Sequence, residues 1–219
     1  MTIFDWSYAW EILPQLLLAS VKTLQITVLG FCIAVVVGFL LTLARRSSIR
    51  ALAWSASLFV EFMRSTPLLI QIYFIFFVFP SFSINLSAMQ AGLIGIGLHY
   101  ACYLSEVYRG GLESVPKGQW EAVTALNMKA STAYRRIIIP QALKPILPPM
   151  GNYLIAMLKE TPVLSAITVV EIMLKAKNLG SESFRFLEPI TLVGVFFLII
   201  SIALSYAVRK VEYRLERQK

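Results

Sequence analysis

The residues best suited to bind a charged solute stand inside or at the ends of long apolar stretches. Lys159, Glu160 and Thr161 directly follow one such stretch, and Arg64 and Thr66 lie near another. A charged solute that leaves water needs a partner for each of its charges, because burying an unpaired charge is prohibitive. Arg64 could hold an anionic group in a two-pronged hydrogen bond, and Glu160 could face a cationic group. The sequence therefore predicts solute binding at these positions.

The same charges have a second interpretation, as structural ion pairs that orient helices. Glu61 and Arg64 lie three residues apart, and Glu106 and Arg109 repeat this spacing, so the members of each pair share one helix face. An ionised side chain at membrane depth costs a few kcal/mol unless it is paired or hydrated. On this interpretation Arg64 pairs with Glu61, and the charges at 159 and 160 mark an outer gate. The sequence leaves both interpretations open.

Composition places these residues in a membrane protein. Of 219 residues, 58 % are hydrophobic and only 15 % are charged, whereas a soluble chain carries about a quarter charged residues. Residues 23–44 and 189–208 lack any charge, and residues 65–105 hold only His99. A helix of about 20 apolar residues crosses the hydrocarbon core of a bilayer. The net charge of +8 does not indicate nucleic-acid binding, because the basic residues stand at the ends of the apolar stretches.

These stretches predict an all-α membrane protein with one transmembrane domain over residues 1–219. The five predicted spans cover about residues 21–44, 54–79, 87–107, 142–158 and 189–208. At residues 161–174, only ten residues separate Glu160 from Glu171. This uncharged length is too short to cross a bilayer and suits a re-entrant or interfacial helix. With five spans most of the twenty basic residues lie inside, so the positive-inside rule puts the N-terminus outside and the C-terminus inside. No cleavable signal peptide is expected, because no basic residue precedes Lys22.

Prolines and small residues indicate where the spans break and where they pack. From Pro145 to Leu158 the fourth span covers only roughly 21 Å of helix, so Lys159–Pro162 should form an unwound, polar break within the bilayer. Such a break must face protein or water, and it is a frequent way to build a substrate site. In the third span, stripes of small residues predict close helix packing. These are Ala91 and Gly95 in one stripe, and Gly97, Ala101 and Ser105 in the other.

The loop over residues 114–140 combines charge with helix signals. Pro116 suits the first turn of a helix. Asn127 suits the left-handed position just past the end of that helix, and Ser131 is a plausible N-cap for a second helix. An amphipathic helix on the membrane surface is the alternative interpretation.

The spacing in this loop resembles the signature of ABC importer permeases. Glu121-Ala122-Val123 is followed after three residues by Asn127, and after nine more by Ile137-Ile138-Ile139-Pro140. The family pattern has Glu-Ala-Ala, then Gly, then Ile-x-Leu-Pro. The chain departs from it at three positions, with Val123 for the third small residue, Asn127 for Gly and Ile139 for Leu.

Three further segments resemble one subgroup, the polar amino acid uptake permeases of the histidine, glutamine, arginine and opine type. These are Glu61–Gln71, Tyr103–Gly111, and Lys159-Glu160-Thr161 with the Leu164 and Ser165 that follow. The resemblance extends from about Leu16 to Leu215 and implies the ABC type I importer permease fold in a bacterial inner membrane. It implies a polar amino acid as solute, with an ectoine-type compatible solute as the alternative.

The resemblance also implies partners and site residues. Two cytoplasmic ATPases would bind ATP and Mg²⁺, while this chain, which binds no cofactor itself, would pair with a second permease that is a copy or a paralogue. An extracytoplasmic binding protein would deliver the small polar solute through a complex surrounded by membrane lipid. The implied ATPase-coupling residues are Lys117, Gly118, Glu121, Ala122, Ala125, Asn127 and Pro140, and the predicted substrate-pathway residues are Arg64, Thr66, Gln71, Glu106, Lys159, Glu160 and Thr161.

The sequence argues against catalysis by this chain alone. It contains no Gly-x4-Gly-Lys-Ser/Thr phosphate-binding loop, and its one histidine forms no Ser/His/Asp arrangement. Two other functions are considered. An ion-coupled secondary transporter would usually show internal repeats, which five spans do not provide, and a membrane scaffold would need no polar break at Lys159–Pro162.

Overall fold

A computed structural model describes residues 4–216, and the side chains up to Arg214. This part of the chain is helical and contains no strand, which confirms the all-α prediction. Its α-helices are α1 (Trp6–Arg45), α2 (Arg50–Ser65), α3 (Leu68–Tyr73), α4 (Ala88–Glu113), α5 (Lys117–Ala125), α6 (Ala130–Ala133), α7 (Ile139–Glu160), α8 (Ile172–Ser183) and α9 (Leu187–Glu216). Residues 1–3 and 217–219 of the predicted domain, including two basic residues of the tail, lie outside the described residues.

The first helix begins earlier than the predicted residue 21. Asp5 caps it, because its Oδ1 accepts hydrogen bonds from the backbone N–H groups of Ser7 at 3.0 Å and Tyr8 at 3.3 Å. Among the described residues, α1 and the stretch Leu187–Arg214 of α9 are each long and apolar enough to cross a membrane unaided. Two bent helix pairs could each supply a further crossing.

The core forms where α1 packs on α4, and here the predicted small-residue packing is confirmed. A Cβ added at Gly97 would lie 2.7 Å from Cγ2 of Ile33, and one added at Gly38 would lie 2.8 Å from the carbonyl oxygen of Ala101. Real side chains do not fit at such distances, so glycine sets the separation of the two helices. Ala34 and Ala101 are fully buried between them.

The predicted second span is not one straight helix. The chain bends by 109° between α2 and the helical stretch Leu68–Phe82, which continues α3 through a π-helical turn at Phe74–Val78 and a 3₁₀ turn at Phe79–Phe82. The cause is local: Thr66 precedes Pro67, so steric clash pushes it out of the helical region, and its φ and ψ are −113° and 142°.

The predicted unwound break at Lys159–Pro162 is wrong, because the chain stays helical there. A π-helical stretch, Tyr134–Ile138, links α6 to α7, and at Thr161 the helix tightens into a 3₁₀ segment that continues to Ile167. The three prolines expected to disturb the start of this span lie inside α7. Likewise, the N-cap of α6 is Lys129 and not Ser131, which is the second residue of that helix.

A left-handed Thr168, with φ of 67°, ends the 3₁₀ segment. The helix α8 then begins at an angle of 50°. The buried Glu171 starts it, because its carboxylate accepts hydrogen bonds from the N–H groups of Met173 and Leu174, each at 2.9 Å. The segment predicted to be re-entrant therefore comprises this 3₁₀ turn and the start of α8.

Candidate functional site

Glu106 lies at the centre of an ion cluster that joins α1, α2 and α4. Its Oε1 is 2.9 Å from Nη1 of Arg45 and 3.4 Å from Nη1 of Arg64, and its Oε2 is 2.7 Å from Nη2 of Arg109. Arg109 continues to Glu113 at 2.8 Å. These five residues are called the Glu106 cluster below. The predicted pairing of Glu106 with Arg109 is confirmed.

The other predicted pair is weaker than its spacing indicates. Arg64 lies 3.9 Å from Glu61, whose side chain is 72 % exposed, so this contact contributes little. Arg64 instead lies nearer to Glu106 and places its guanidinium over the ring of Tyr103, 5.5 Å from the centroid. The helix that carries Arg64 is thereby held against α4.

Three tyrosines extend from Arg64 towards Glu160. The ring centroid of Tyr103 is 5.4 Å from that of Tyr153, and Tyr100 lies 6.2 Å from both. Glu160 is the charged group that interacts with the Tyr100 hydroxyl. Tyr100 and Tyr103 share one face of α4 because they are three residues apart, and Tyr153 approaches them from α7. The three are called the tyrosine cluster.

Glu160 ends α7 with an incompletely paired carboxylate. Its Oε2 is buried and has no hydrogen-bond partner within the described part of the chain. A buried polar atom left without a partner carries an uncompensated desolvation penalty of about 1–3 kcal/mol, and more if it is charged. This carboxylate is therefore suited to a donor that comes from outside the chain.

Gln71 braces the bend in the second span. Pro67 has no N–H, so the carbonyl oxygen of Met63 lacks the donor that a continuous helix would supply. Nε2 of Gln71 lies 2.6 Å from that oxygen and 2.7 Å from Oγ1 of Thr66. Its Oε1 faces Nδ1 of His99 at 3.0 Å. Because an amide oxygen only accepts, this contact assigns the proton to Nδ1 of the histidine.

Thr66 and Thr161 also serve the backbone at the two proline positions. The hydroxyl of Thr66 donates to the carbonyl of Phe62 at 3.0 Å. The hydroxyl of Thr161 donates to the carbonyl of Leu158 at 2.8 Å. In a continuous helix the N–H of residue 162 would donate to this carbonyl, but Pro162 has no N–H. Of the seven predicted pathway residues, Arg64, Glu106 and Glu160 therefore adjoin the tyrosine cluster. Thr66 and Gln71 stabilise the bend at Pro67, Thr161 supports the backbone before Pro162, and Lys159 is exposed.

The loop over residues 114–140 contains the predicted short helix, α5, and the predicted left-handed turn. Asn127 has φ of 48°. Its N–H donates to the carbonyl of Thr124 at 3.0 Å, and the N–H of Met128 donates to that of Val123 at 3.1 Å. This pair of bonds is the Schellman motif, in which the left-handed residue is usually glycine or asparagine. The departure from glycine at this position is therefore compatible with the same turn.

One face of α5 rests on the rest of the chain and the other is uncovered. Trp120 packs edge-on against Tyr134 with ring centroids 5.6 Å apart, and α5 has no buried residue. The implied coupling residues Lys117, Gly118, Glu121, Ala122, Ala125, Asn127 and Pro140 are all exposed. Leu126 next to them is 72 % exposed. A nine-residue helix with so little support is marginal in isolation.

At the opposite end of the bundle, charged residues tie the start of α1 to the start of α9. Arg185 lies 3.3 Å from Asp5 and 2.5 Å from Glu188. The Tyr8 hydroxyl donates to Oγ of Ser183 at 2.7 Å. These residues are called the N-terminal clasp. The Ser7 hydroxyl, the Tyr8 N–H and Arg185 hold the pKa of the Asp5 carboxyl below its ordinary value of 3.8.

The sequence did not identify Arg45 or the three tyrosines as parts of a site. The arginine terminates an apolar stretch and was interpreted only as a topology signal, and tyrosines in a span are ordinary packing residues. One signal was available. Tyr100, Tyr103 and Glu106 recur at three-residue spacing, so they follow one face of a helix.

Apolar helices long enough to cross a bilayer, polar groups at their bends and an uncovered surface helix define an integral membrane transport component. The chain belongs to the family of binding-protein-dependent transport system inner membrane components, which matches residues 30–217. This membership confirms the resemblance to ABC importer permeases.

Individual relatives cover nearly the whole chain. It is 39 % identical to the probable amino-acid ABC transporter permease protein y4tG of Sinorhizobium fredii, over 97 % of this chain and 92 % of the relative. It is 34 % identical to the glutamine transport system permease protein GlnP of Escherichia coli, over 97 % and 98 %. A crystal structure of an amino acid ABC transporter with histidines aligns with a TM-score of 0.92 at 32 % identity, covering 98 % of this chain and 100 % of that one.

Proposed function

We propose that this chain is the permease subunit of an ABC importer for polar amino acids. The observation that carries the proposal is the tyrosine cluster, which has Arg64 at one end and the unpaired Oε2 of Glu160 at the other. Opposite charges at the two ends of an aromatic path suit a zwitterion that passes between helices. The amino-acid permeases among the relatives support this solute class over an ectoine-type solute or an ion-coupled mechanism.

We infer five crossings, with the N-terminus outside and the C-terminus inside. The crossings would be α1, the bent pair from α2 to Phe82, α4, the helical stretch 130–167, and α9. Two contacts support this arrangement: the N-terminal clasp joins the starts of α1 and α9, and Gly151 of α7 meets Val208 near the far end of α9. Basic residues then concentrate at the end that carries α5, as the positive-inside rule requires.

The exposed face of α5 would bind a cytoplasmic ATPase that holds ATP and Mg²⁺. Two ATPases, a second permease and an extracytoplasmic binding protein would complete the transporter. The short helix α5 has few contacts of its own, so a partner groove would stabilise it, and its movement would pass to α7 through Trp120 and the π-helical stretch Tyr134–Ile138. Pro140 lies directly after that stretch.

In this account Arg64 binds the solute carboxylate and Glu160 binds its amino group. Nη1 of Arg64 faces Glu106, while its Nε and Nη2 make no hydrogen bond within the described part of the chain. Those two donors can form the parallel pair of bonds that a carboxylate accepts. We assign Lys159 to a gate, because it is exposed and directly precedes Glu160.

Glu160→Gln and Arg64→Lys test the assignment, with the exposed Glu182→Gln of α8 as the matched control. A hydrogen bond to a charged group is worth about 1.5–3 kcal/mol, so each variant should weaken solute affinity roughly tenfold or more. Solute binding to the purified complex and solute-stimulated ATP hydrolysis are the measurements. Lost transport with unchanged affinity would instead assign these residues to a gate.

A further inference from the structure

A cavity of about 210 Å³ opens where the last turn of α1 meets α2 and α4. It is lined by Thr42, Arg45, Arg46, Ser57, Arg109 and Glu113. Three of these six residues are arginines and one is acidic, so the lining carries a net charge of +2. The cavity lies at the same end of the bundle as α5, where the apolar part of α1 gives way to charged residues.

The arginines of the lining differ in what they already bind. Arg45 and Arg109 are paired within the Glu106 cluster. Arg46 is exposed, and its guanidinium makes no hydrogen bond or ion pair to any described residue. It directly follows α1, and the equally exposed Arg50 begins α2. The positive charge of Arg46, which no described acidic side chain neutralises, therefore lies at the cavity.

Polar groups of the lining can accept hydrogen bonds. Ser57 donates its proton to the carbonyl of Ala53 at 2.8 Å, so its oxygen remains available to a donor, as do lone pairs of the Glu113 carboxylate. Thr42 is only 2 % exposed, and its Oγ1 already lies 2.8 Å from the carbonyl of Gly38 and 3.4 Å from Oγ of Ser105. The cavity therefore offers cationic donors beside several acceptors.

Exposed apolar side chains flank the lining residues along α1 and α2. Leu40 and Leu43 of α1 are 55 % and 52 % exposed, and Trp54 and Leu58 of α2 are 69 % and 55 % exposed. In an integral membrane protein such side chains face acyl chains, and tryptophan prefers the level of the headgroups. A ligand at this place would have an anionic head and apolar tails.

We propose that this cavity binds the headgroup of an anionic phospholipid. Arg46 holds the phosphate, the Ser57 oxygen and the Glu113 carboxylate accept hydrogen bonds from hydroxyls of a glycerol headgroup, and the acyl chains follow the apolar faces of α1 and α2. Basic pockets between transmembrane helices at the membrane surface are suited to such lipids. The inference depends on membrane insertion and not on the identity of the transported solute.

The experiment compares the full-length wild-type chain with Arg46→Gln and with Arg209→Gln. The control removes the same charge from an exposed arginine near the end of α9. Each protein is purified in neutral detergent, and native mass spectrometry follows titration with phosphatidylglycerol, phosphatidylcholine or inorganic phosphate. A basic residue near a membrane surface contributes about 1 kcal/mol, so Arg46→Gln should weaken phosphatidylglycerol binding roughly fivefold.

Support requires a phosphatidylglycerol complex that Arg46→Gln weakens and Arg209→Gln leaves unchanged, with weaker binding of phosphatidylcholine. Equal losses in the two variants, or equal binding of the two lipids, would overturn the site in favour of general surface attraction. Displacement of phosphatidylglycerol by inorganic phosphate at similar concentration would identify a free-anion site and also overturn the proposal.

Discussion

Replacing Gln71 with methionine tests how the bend at Pro67 is maintained. The substitution keeps a similar volume but removes every polar atom of the side chain. The substitution removes the hydrogen bonds to the Met63 carbonyl and to Thr66, and the one accepted from His99. We expect the bend to lose the hydrogen bonds of this side chain while the surrounding apolar contacts persist.

The magnitude follows from the number of hydrogen bonds. An amide nitrogen carries two protons, so Gln71 makes at most two donated bonds at a time and one accepted bond. Hydrogen bonds of polar side chains between helices of a membrane protein average about 0.6 kcal/mol each. Losing three therefore costs about 2 kcal/mol of unfolding free energy, and more if the Met63 oxygen stays buried without a donor.

Unfolding of the purified protein in mixed micelles measures this loss, and Pro67→Ala provides the matched background. Alanine restores an N–H that can donate to the Met63 carbonyl, so Gln71→Met should cost less there than in the wild-type chain. Equal costs in the two backgrounds, or a Gln71→Met variant as stable as wild type, would refute the role given to the missing N–H of Pro67.

Three further predictions concern the ends of the bundle. Asn127→Gly should be tolerated, whereas Asn127→Val should cost on the order of 1 kcal/mol or more through strain at positive φ; equal unfolding midpoints would contradict this. Glu121→Lys should leave the chain inserted but reduce co-purification of the ATPase, so an undiminished yield with normal transport would exclude the role. Asp5→Asn should destabilise at neutral pH but not in strong acid, because the stabilisation from a lowered carboxyl pKa is fully present above the ordinary value of 3.8 and is lost as pH falls through the folded value. Thermal unfolding against pH measures this, and a pH-independent difference would argue against it.

The all-helical class and the end of α5 were predictable because they follow from local rules. An uncharged stretch that spans a bilayer must satisfy its backbone hydrogen bonds internally. In a chain with long apolar stretches of about 20 residues, a helix does this. Asn127 could be assigned from its type, since few residues other than glycine adopt a left-handed turn readily. The packing stripe at Gly97 and Ala101 could also be predicted from the sequence, because close contact between helices depends on the size of a few residues.

The start of α1 and the shape of the second span could not be read in the same way. Hydropathy placed the start of the first span at about residue 21, but a helix extends beyond the bilayer wherever a cap such as Asp5 permits it. Residues 54–79 were predicted as one span because they are largely apolar, but Pro67 forces Thr66 out of the helical region and the chain bends there by 109°. At Pro162 the neighbouring Thr161 hydroxyl and a change to 3₁₀ geometry preserve the helix. The sequence could not reveal this compensation, so the prediction of an unwound break was wrong.

The site depended on contacts between distant segments. Spacing of three residues correctly paired Glu106 with Arg109, but it also paired Arg64 with the exposed Glu61. Only the fold brings Arg45 and Arg64 to the same carboxylate. The tyrosine cluster likewise joins α4 to α7, and no pattern along one helix reports a partner on another.

Uptake by reconstituted proteoliposomes shows whether this chain imports polar amino acids at the expense of ATP. The full-length chain, its second permease and ATPase subunits, and the binding protein are reconstituted, and accumulation of labelled polar amino acids is followed with and without ATP. We predict concentrative uptake that needs both ATP and the binding protein and that Glu121→Lys reduces. Uptake driven by a proton or sodium gradient without ATP would contradict this prediction.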